Sequence, residues 1–195
     1  MRLVINIALV ALIGLFIWLL ISGIREPILF NSELKKRETA VTDRLKEIRS
    51  AQKIYSDVMG GSYAQNFDTL VHVLRTGRIP TVKVIGDPDD PTNLEGVTYD
   101  TTWRQAIEDA NALSLNLDSL QFVPYADKGT VFEIYADTIT YQSTMVNVVE
   151  VGVNRAKYMG KFADPKYKRY DDGYDPTAFI KFGNKNAPNT TGNWE

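Results

Sequence analysis

An uncharged apolar run near the N-terminus constrains this chain more than any other feature of its sequence. Residues 3–24, LVINIALVALIGLFIWLLISGI, contain no Asp, Glu, Lys or Arg. Because an α-helix rises about 1.5 Å per residue, the run can form a helix of about 30 Å, which matches the hydrocarbon core of a bilayer. We therefore predict a transmembrane anchor over residues 1–26, apolar from Leu3 to Ile24, with Trp18 toward one interface.

A cleaved signal peptide is the alternative interpretation of this run. The apolar region of a secretory signal usually has about 7–15 residues and precedes a small-x-small cleavage site. Here the run is longer and leads into IREP at residues 24–27, which contains no such site. We therefore favour an uncleaved helix. The Lys and Arg count around the run places its C-terminal side in the cytoplasm, whereas a large hydrophilic domain behind an N-terminal anchor is commonly exported.

Composition excludes several classes of function. The 195 residues include no Cys and a single His, His72, so disulfides, thiolate nucleophiles and Cys- or His-rich metal sites are excluded. The formal net charge is −2, whereas nucleic-acid-binding domains usually carry a strong basic excess. The sequence contains no phosphate-binding loop, dinucleotide fingerprint or nucleophile elbow. We therefore predict a protein that is not an enzyme and does not bind nucleic acid.

An amphipathic pattern after the anchor predicts a long helix over residues 27–61. Pro27 lacks an N–H, so we expect it to kink or restart the helix, with Ser32 as the N-cap. Gly60 and Gly61 are expected to end it. The apolar stripe has two interpretations, packing on the protein's own sheet or a helix–helix seam in an oligomer. Its members are Leu34, Val41, Leu45, Ile48, Ala51 and Tyr55.

The remaining chain predicts an α+β fold in which a long amphipathic helix packs on a small antiparallel sheet. Residues 62–163 are expected to form a soluble α+β domain with short helices over 66–78 and 103–113. Alternating apolar residues predict strands over 79–86, 120–126, 130–141 and 145–153. The tail, residues 164–195, is rich in Tyr, Asp and Gly, and we expect it to lie on the surface or on a partner, with one short strand over 177–182.

Two clusters in the soluble part suggest ligand or partner binding. A Pro-containing turn groups the oxygen ligands Asp87, Asp89, Asp90, Asn93 and Glu95, which suits Ca²⁺ although the spacing is not that of an EF-hand. Aromatic and basic residues alternate in the tail, and this predicts a protein interface at Tyr167, Tyr170, Tyr174 and Phe179. A membrane-anchored module that binds Ca²⁺ or a glycan is therefore the alternative function, and no other cofactor is expected.

Residues 40–74 resemble the region of type IV pilins and pseudopilins just beyond the membrane. The run carries a pattern like L-x-x-I-x-x-A-Q-x-x-Y, then G-x-Y and a leucine-bearing segment. The run VKVIGDPDD at 82–90 is similar to single-pass envelope proteins of Bacteroidota. These resemblances imply an inner-membrane structural subunit with a periplasmic domain. Such a subunit would form homo- or hetero-oligomers with other envelope proteins in secretion, motility or pilus-like machinery.

The N-terminus departs from the pilin pattern. Pilins carry a basic leader, a Gly before the peptidase cut and a Glu at the fifth membrane position. Here Met1 and Arg2 lead directly into the apolar run, and Ile5 and Asn6 lie near the position of that Glu. We therefore expect a pilin-like shape on a permanent anchor, without processing by prepilin peptidase.

Overall fold

One helix dominates the computed structural model, which describes residues 2–85 and 98–195. Helix α1 runs unbroken over Arg2–Val58, with Pro27 inside it. At about 1.5 Å per residue it is about 85 Å long. The expected restart with Ser32 as N-cap is wrong, because the loss of one N–H at Pro27 does not outweigh the bonds and packing that continue on either side.

The C-terminal end of α1 and the next helix follow their capping residues. Gly60 has a φ of 65°, and the N–H of Gly61 donates to the carbonyl of Ser56 at 2.8 Å, which is the pattern of a Schellman cap. Helix α2 covers Phe67–Thr76, and its N-cap Asn66 accepts a hydrogen bond from the N–H of Thr69. The predicted end of the first helix at Gly60 and Gly61 is confirmed, and the second helix begins at the predicted position but ends two residues before the predicted 78.

A two-stranded hairpin and a short helix follow α2. Strand β1, Arg78–Ile85, pairs antiparallel with β2, Thr98–Gln105. Helix α3 covers only Ala106–Ala112. The predicted helix over 103–113 is therefore wrong at its start, because Trp103 pairs with Pro80 across the hairpin.

The second sheet has the order β3–β4–β5, all antiparallel. The strands are Glu133–Tyr141, Thr144–Asn154 and Phe179–Gly183. Between β4 and β5 lie a short helix α4, Ala156–Met159, and two 3₁₀ turns, Gly160–Ala163 and Pro165–Tyr170. The part of the chain expected to be a surface tail thus supplies the third strand of the sheet.

The strand expected over 120–126 is wrong. Only Phe122 makes an isolated bridge there, to Val131. Pro124 has no N–H for a strand ladder, and Tyr125 has a φ of 61°, which is outside the strand region for a side chain of this kind. These two residues turn the chain instead.

The core lies between the distal part of α1 and one face of the second sheet, which confirms the α+β class. The predicted stripe is buried there, and Val41, Leu45, Ile48 and Ala51 have no exposed surface. The sheet contributes alternate residues that face the helix, namely Ala136, Val149, Val151, Val153 and Phe182. We call residues 30–85 and 98–195 the head, and residues 2–25 the anchor segment.

Candidate functional site: the junction of anchor and head

The anchor segment projects from the head without cover. Leu3, Trp18 and Ile24 are 74%, 65% and 55% exposed. The most apolar 18-residue window of α1 has a mean hydropathy of 2.9, and none of it is buried. By length and composition this helix can cross a membrane, and the predicted anchor residues all lie on it.

The head closes on α1 at Phe30, which is the first fully buried residue along the helix. Its ring stacks on Tyr167 with centroids 5.2 Å apart and planes 7° apart. Tyr174 meets the same ring edge-on at 4.9 Å, and Phe162 lies 5.9 Å away. Such pairs are each worth about 0.5–1.5 kcal/mol beyond the burial of their surface. The cluster therefore fixes where the head begins.

Polar contacts bind the head to α1 at Glu26, about one helical turn before Phe30. The carboxylate of Glu26 accepts a hydrogen bond from the Tyr170 hydroxyl at 2.8 Å and from Arg169 Nη2 at 3.3 Å. The Arg169 guanidinium also lies over the Tyr170 ring, 4.6 Å from its centroid. The 3₁₀ turn Pro165–Tyr170 is thereby tied to α1 at the point where the anchor segment ends.

A second tier of contacts lies farther up α1. Arg155 Nη2 pairs with Glu38 Oε1 at 2.7 Å, and its guanidinium lies 5.4 Å from the centroid of the Tyr174 ring. Arg37 Nη1 donates to the carbonyl of Tyr158 at 2.7 Å. Since the backbone around Tyr158 and the side chain of Arg155 both bind α1, this tier joins the chain after β4 to the helix.

Burial raises the pKa of two tyrosines that lie near α1, Tyr158 and Tyr174. Burial raises the pKa of Tyr174 to about 12, and its hydroxyl donates to the carbonyl of Phe162 at 2.6 Å. Burial, together with the negative charge of Glu38, also raises the pKa of Tyr158. Both side chains therefore remain neutral at physiological pH. Tyr174 packs and donates its hydrogen bond, whereas the Tyr158 hydroxyl is buried without a hydrogen-bond partner among the described residues, and neither is activated as a nucleophile or base.

The structure places the predicted interface residues differently from the sequence-based expectation. Tyr167 and Tyr174 are buried against Phe30 of the same chain, so the expectation of an external interface is wrong for these two. Tyr170 is half-buried on Glu26, and Phe179 is half-buried where β5 begins beside Asn154. The aromatic content of the tail serves mainly the contact with its own helix.

The predicted seam residues also lie inside the chain. Five of them belong to the buried core, and Leu34 packs against it. Of the two interpretations, packing on the protein's own sheet is confirmed. A helix–helix seam in an oligomer is wrong for the five core residues, because at most 6% of their surface is exposed. Leu34 is half-buried, so the structure does not decide between the two interpretations for it.

The predicted acidic turn lies outside the described residues. Asp87, Asp89, Asp90, Asn93 and Glu95 all fall within 86–97. In the described part of the chain, no group of three or more His, Cys, Asp or Glu side chains is placed to hold a metal ion. Calcium binding by the turn therefore stays a prediction.

A second exposed surface lies on the hairpin β1–β2 and was not anticipated. Val82, Tyr99 and Trp103 are 53%, 68% and 61% exposed. Val82 lies opposite Thr101, which is two positions from Tyr99 and from Trp103, so all three share one face of the hairpin. Ile79 lies on the opposite face and is buried in the core. We call Val82, Tyr99 and Trp103 the hairpin face.

In comparisons with known proteins, this chain matches no family model, no curated protein and no solved structure. Three features of the described residues can bear on function, namely the exposed apolar anchor segment, its contacts with the head around Phe30, and the hairpin face.

Proposed function

We propose that this protein is a non-enzymatic, single-pass structural subunit of a multi-protein assembly in the bacterial inner membrane. The observation that carries the proposal is the continuity of α1 over Arg2–Val58. One helix carries uncovered apolar side chains between Leu3 and Ile24 and is the core element of the head from Phe30 onward. A flexible linker would let the head rotate and tilt, whereas a continuous helix holds it at one height and orientation.

The arrangement supports a place in envelope machinery. A head built around the distal part of a single membrane helix, with an antiparallel sheet on that helix, agrees with the likeness to pilins and pseudopilins seen over residues 40–74. We propose a periplasmic head on this basis, in a secretion, motility or pilus-like assembly. Neighbours of such a subunit are other envelope proteins or further copies of the same chain.

We assign the contact with those neighbours to the hairpin face. A two-stranded hairpin alone is only marginally stable in water, yet this one exposes Tyr99 and Trp103 on one face, with Val82 between them on the neighbouring strand. Contiguous exposed apolar side chains mark interaction surfaces on soluble domains, and Trp and Tyr are enriched among residues that dominate binding energy. A partner that covers the face would complete the hairpin.

The test is the particle mass of the full-length protein, purified in mild detergent from its native membrane. We expect a defined complex larger than the 22.0 kDa chain with envelope proteins in it. Replacing Tyr99 and Trp103 by Ala should release the subunit as a monomer. Tyr141→Ala, which removes an exposed aromatic residue from the other sheet, should leave the complex intact.

Two results would count against the proposal. A wild-type protein that purifies as a monomer with nothing bound would contradict the subunit function. A complex that survives loss of the hairpin face but fails with Tyr141→Ala would move the contact to the second sheet.

A further inference from the structure

A basic segment lies at the level where α1 leaves the membrane. The 3₁₀ turn Pro165–Tyr170 binds Glu26 through Tyr170 and Arg169. Glu26 is two residues beyond Ile24, which is about 3 Å farther along the helix axis. A bilayer of about 30 Å of hydrocarbon is about 40–45 Å thick with its headgroups. An anchor that fills the hydrocarbon therefore places this turn within the headgroup layer.

Exposed apolar side chains on α1 continue as far along the helix as the 3₁₀ turn Pro165–Tyr170 that contacts Glu26. Ile28 and Leu29 are 62% and 48% exposed, although they lie beyond Glu26. Phe30, one residue later, is fully buried under Tyr167. One side of this helical turn is thus covered by the head, and the other side still presents apolar side chains. Such a surface suits the boundary between acyl chains and headgroups.

The basic side chains point outward because the aromatic side chains between them point inward. Lys161, Lys166 and Lys168 are exposed, whereas Phe162 and Tyr167 are buried. Lys161 Nζ lies 4.9 Å from the centroid of the Phe162 ring, and Lys166 Nζ lies 4.9 Å from that of Tyr167. The aromatic cluster of the junction therefore holds these lysines in place.

The acidic groups at this level are largely engaged within the chain. Glu26 pairs with Arg169, and Glu33 pairs with Arg37 and Lys36. Asp164 and Asp171 accept backbone N–H groups, each at 2.9 Å, and Asp172 is exposed.

The cations at the same level outnumber these acids. Within residues 2–85 and 98–195, the lysines at 161, 166 and 168 form no ion pair, and Arg25 and Lys35 are exposed on α1. Lys161 and Lys168 lie close enough to Glu33 and Asp175 to help lower the pKa of those carboxyls, and Lys166 has no such acidic neighbour in the described part of the chain. Positive charge thus remains available for an external anion.

We propose that residues 160–170 form a collar that binds the phosphate groups of anionic phospholipids in the membrane that the anchor spans. The inference rests on the membrane anchor of the proposed function, but it does not require the assembly. A lysine near an anionic membrane surface strengthens binding about fivefold. The collar would thereby fix the depth and rotation of the head, so that the hairpin face of every copy is presented alike.

The experiment uses the full chain in nanodiscs and the absence of native cysteine. Asp172→Cys provides a single labelling site beside the collar, and a nitroxide there reports its exposure to a water-soluble paramagnetic reagent. We expect the nitroxide to be less exposed to the reagent in discs of phosphatidylcholine mixed with phosphatidylglycerol than in discs of phosphatidylcholine alone. Free inorganic phosphate added to phosphatidylcholine discs should not reproduce the change.

A charge-matched pair of variants makes the test specific. Lys161→Gln, Lys166→Gln and Lys168→Gln together should abolish the difference between the two lipids. In native mass spectrometry they should weaken retention of phosphatidylglycerol by on the order of 100-fold. The control combines Lys83→Gln, Lys128→Gln and Lys185→Gln, which remove three exposed lysines elsewhere in the head, and should behave like the original chain.

The failures of the two proposals are distinguishable. Equal exposure of the nitroxide in both lipids would overturn the collar, and so would an equal loss of bound phosphatidylglycerol from both triple variants. A decrease in nitroxide exposure caused by an acidic envelope protein, without anionic lipid, would overturn it as well. The particle mass in detergent decides the subunit proposal separately, because a monomer can still bind phospholipid and a complex can form without it.

Discussion

The two parts of α1 differ in how their apolar side chains are distributed around one continuous helix. In the anchor segment apolar side chains surround the whole helix and are exposed. In the head a single stripe is buried, and the other faces carry pairs such as Glu33–Arg37 at 2.9 Å. A helix that is apolar all round needs lipid or protein on every side, whereas one with a stripe needs a protein surface on one side. Since no break separates the parts, the orientation of the anchor segment and that of the head constrain each other through Phe30.

Removing one leucine from each part gives the largest expected contrast. Leu45 is fully buried, and Leu15 is 50% exposed. Leu45→Ala should lower the free energy of unfolding of the head by about 2–5 kcal/mol, because the lost side chain leaves a cavity. Leu15→Ala should leave that free energy unchanged. Urea unfolding of the full chain in detergent measures both, and equal losses would contradict the division of α1 into two environments.

The next contrast concerns a polar residue within the stripe. Gln52 is 1% exposed, and its amide donates to the carbonyl of Ala64 at 3.0 Å and accepts from the N–H of Ala64 at 2.9 Å. Gln52→Leu should cost about 2–4 kcal/mol of unfolding free energy, because two buried backbone groups lose their partners. Gln65→Leu, at an exposed position, is the matched control in the same urea titration. An unchanged free energy of unfolding in Gln52→Leu would contradict this prediction and would show that water replaces the amide as the partner of Ala64.

Alkaline pH should act on the junction. Burial raises the pKa of Tyr174 to about 12, and an unfolded Tyr ionises near pH 10. The stabilising contribution is therefore complete below about pH 10 and is lost as the pH rises toward 12, because only the unfolded phenol releases its proton. The melting temperature should fall across this range, and the fall should be smaller in Tyr174→Phe. An identical fall in Tyr174→Phe and Tyr141→Phe would place the alkaline sensitivity elsewhere.

The smallest effect is expected where the C-terminus returns to α1. Arg49 Nη1 pairs with the Glu195 side chain at 2.8 Å, and this hydrogen bond holds the pKa of Glu195 below its ordinary value of 4.5. The contribution of this pair to the stability of the fold is present above pH 4.5 and is lost as the pH falls through the lowered pKa. Arg49→Gln should lower the melting temperature only slightly at neutral pH, since the pair is exposed. In acid the two proteins should melt alike, and a difference that persists there would assign the effect to packing of Arg49.

Prediction from sequence succeeded where local chemistry decides the structure. The end of α1 at Gly60, the start of α2, and strands β3, β4 and β5 follow from capping residues and alternating apolar side chains. Strand β2 was missed because it is exposed along its length, so no burial pattern distinguishes it. The expected strand over 120–126 failed because the turn at Pro124 and Tyr125 outweighed its apolar content.

The sequence by itself determined that residues 3–24 avoid water on every side and that the stripe from Leu34 to Tyr55 avoids it on one. Only the tertiary structure decided that Tyr167 and Tyr174 return to cover Phe30, and that Trp103 remains outside. A local pattern records which side chains are apolar and how they repeat along an element. What covers them depends on contacts between residues far apart in the chain, and these are selected by the packing of the whole fold.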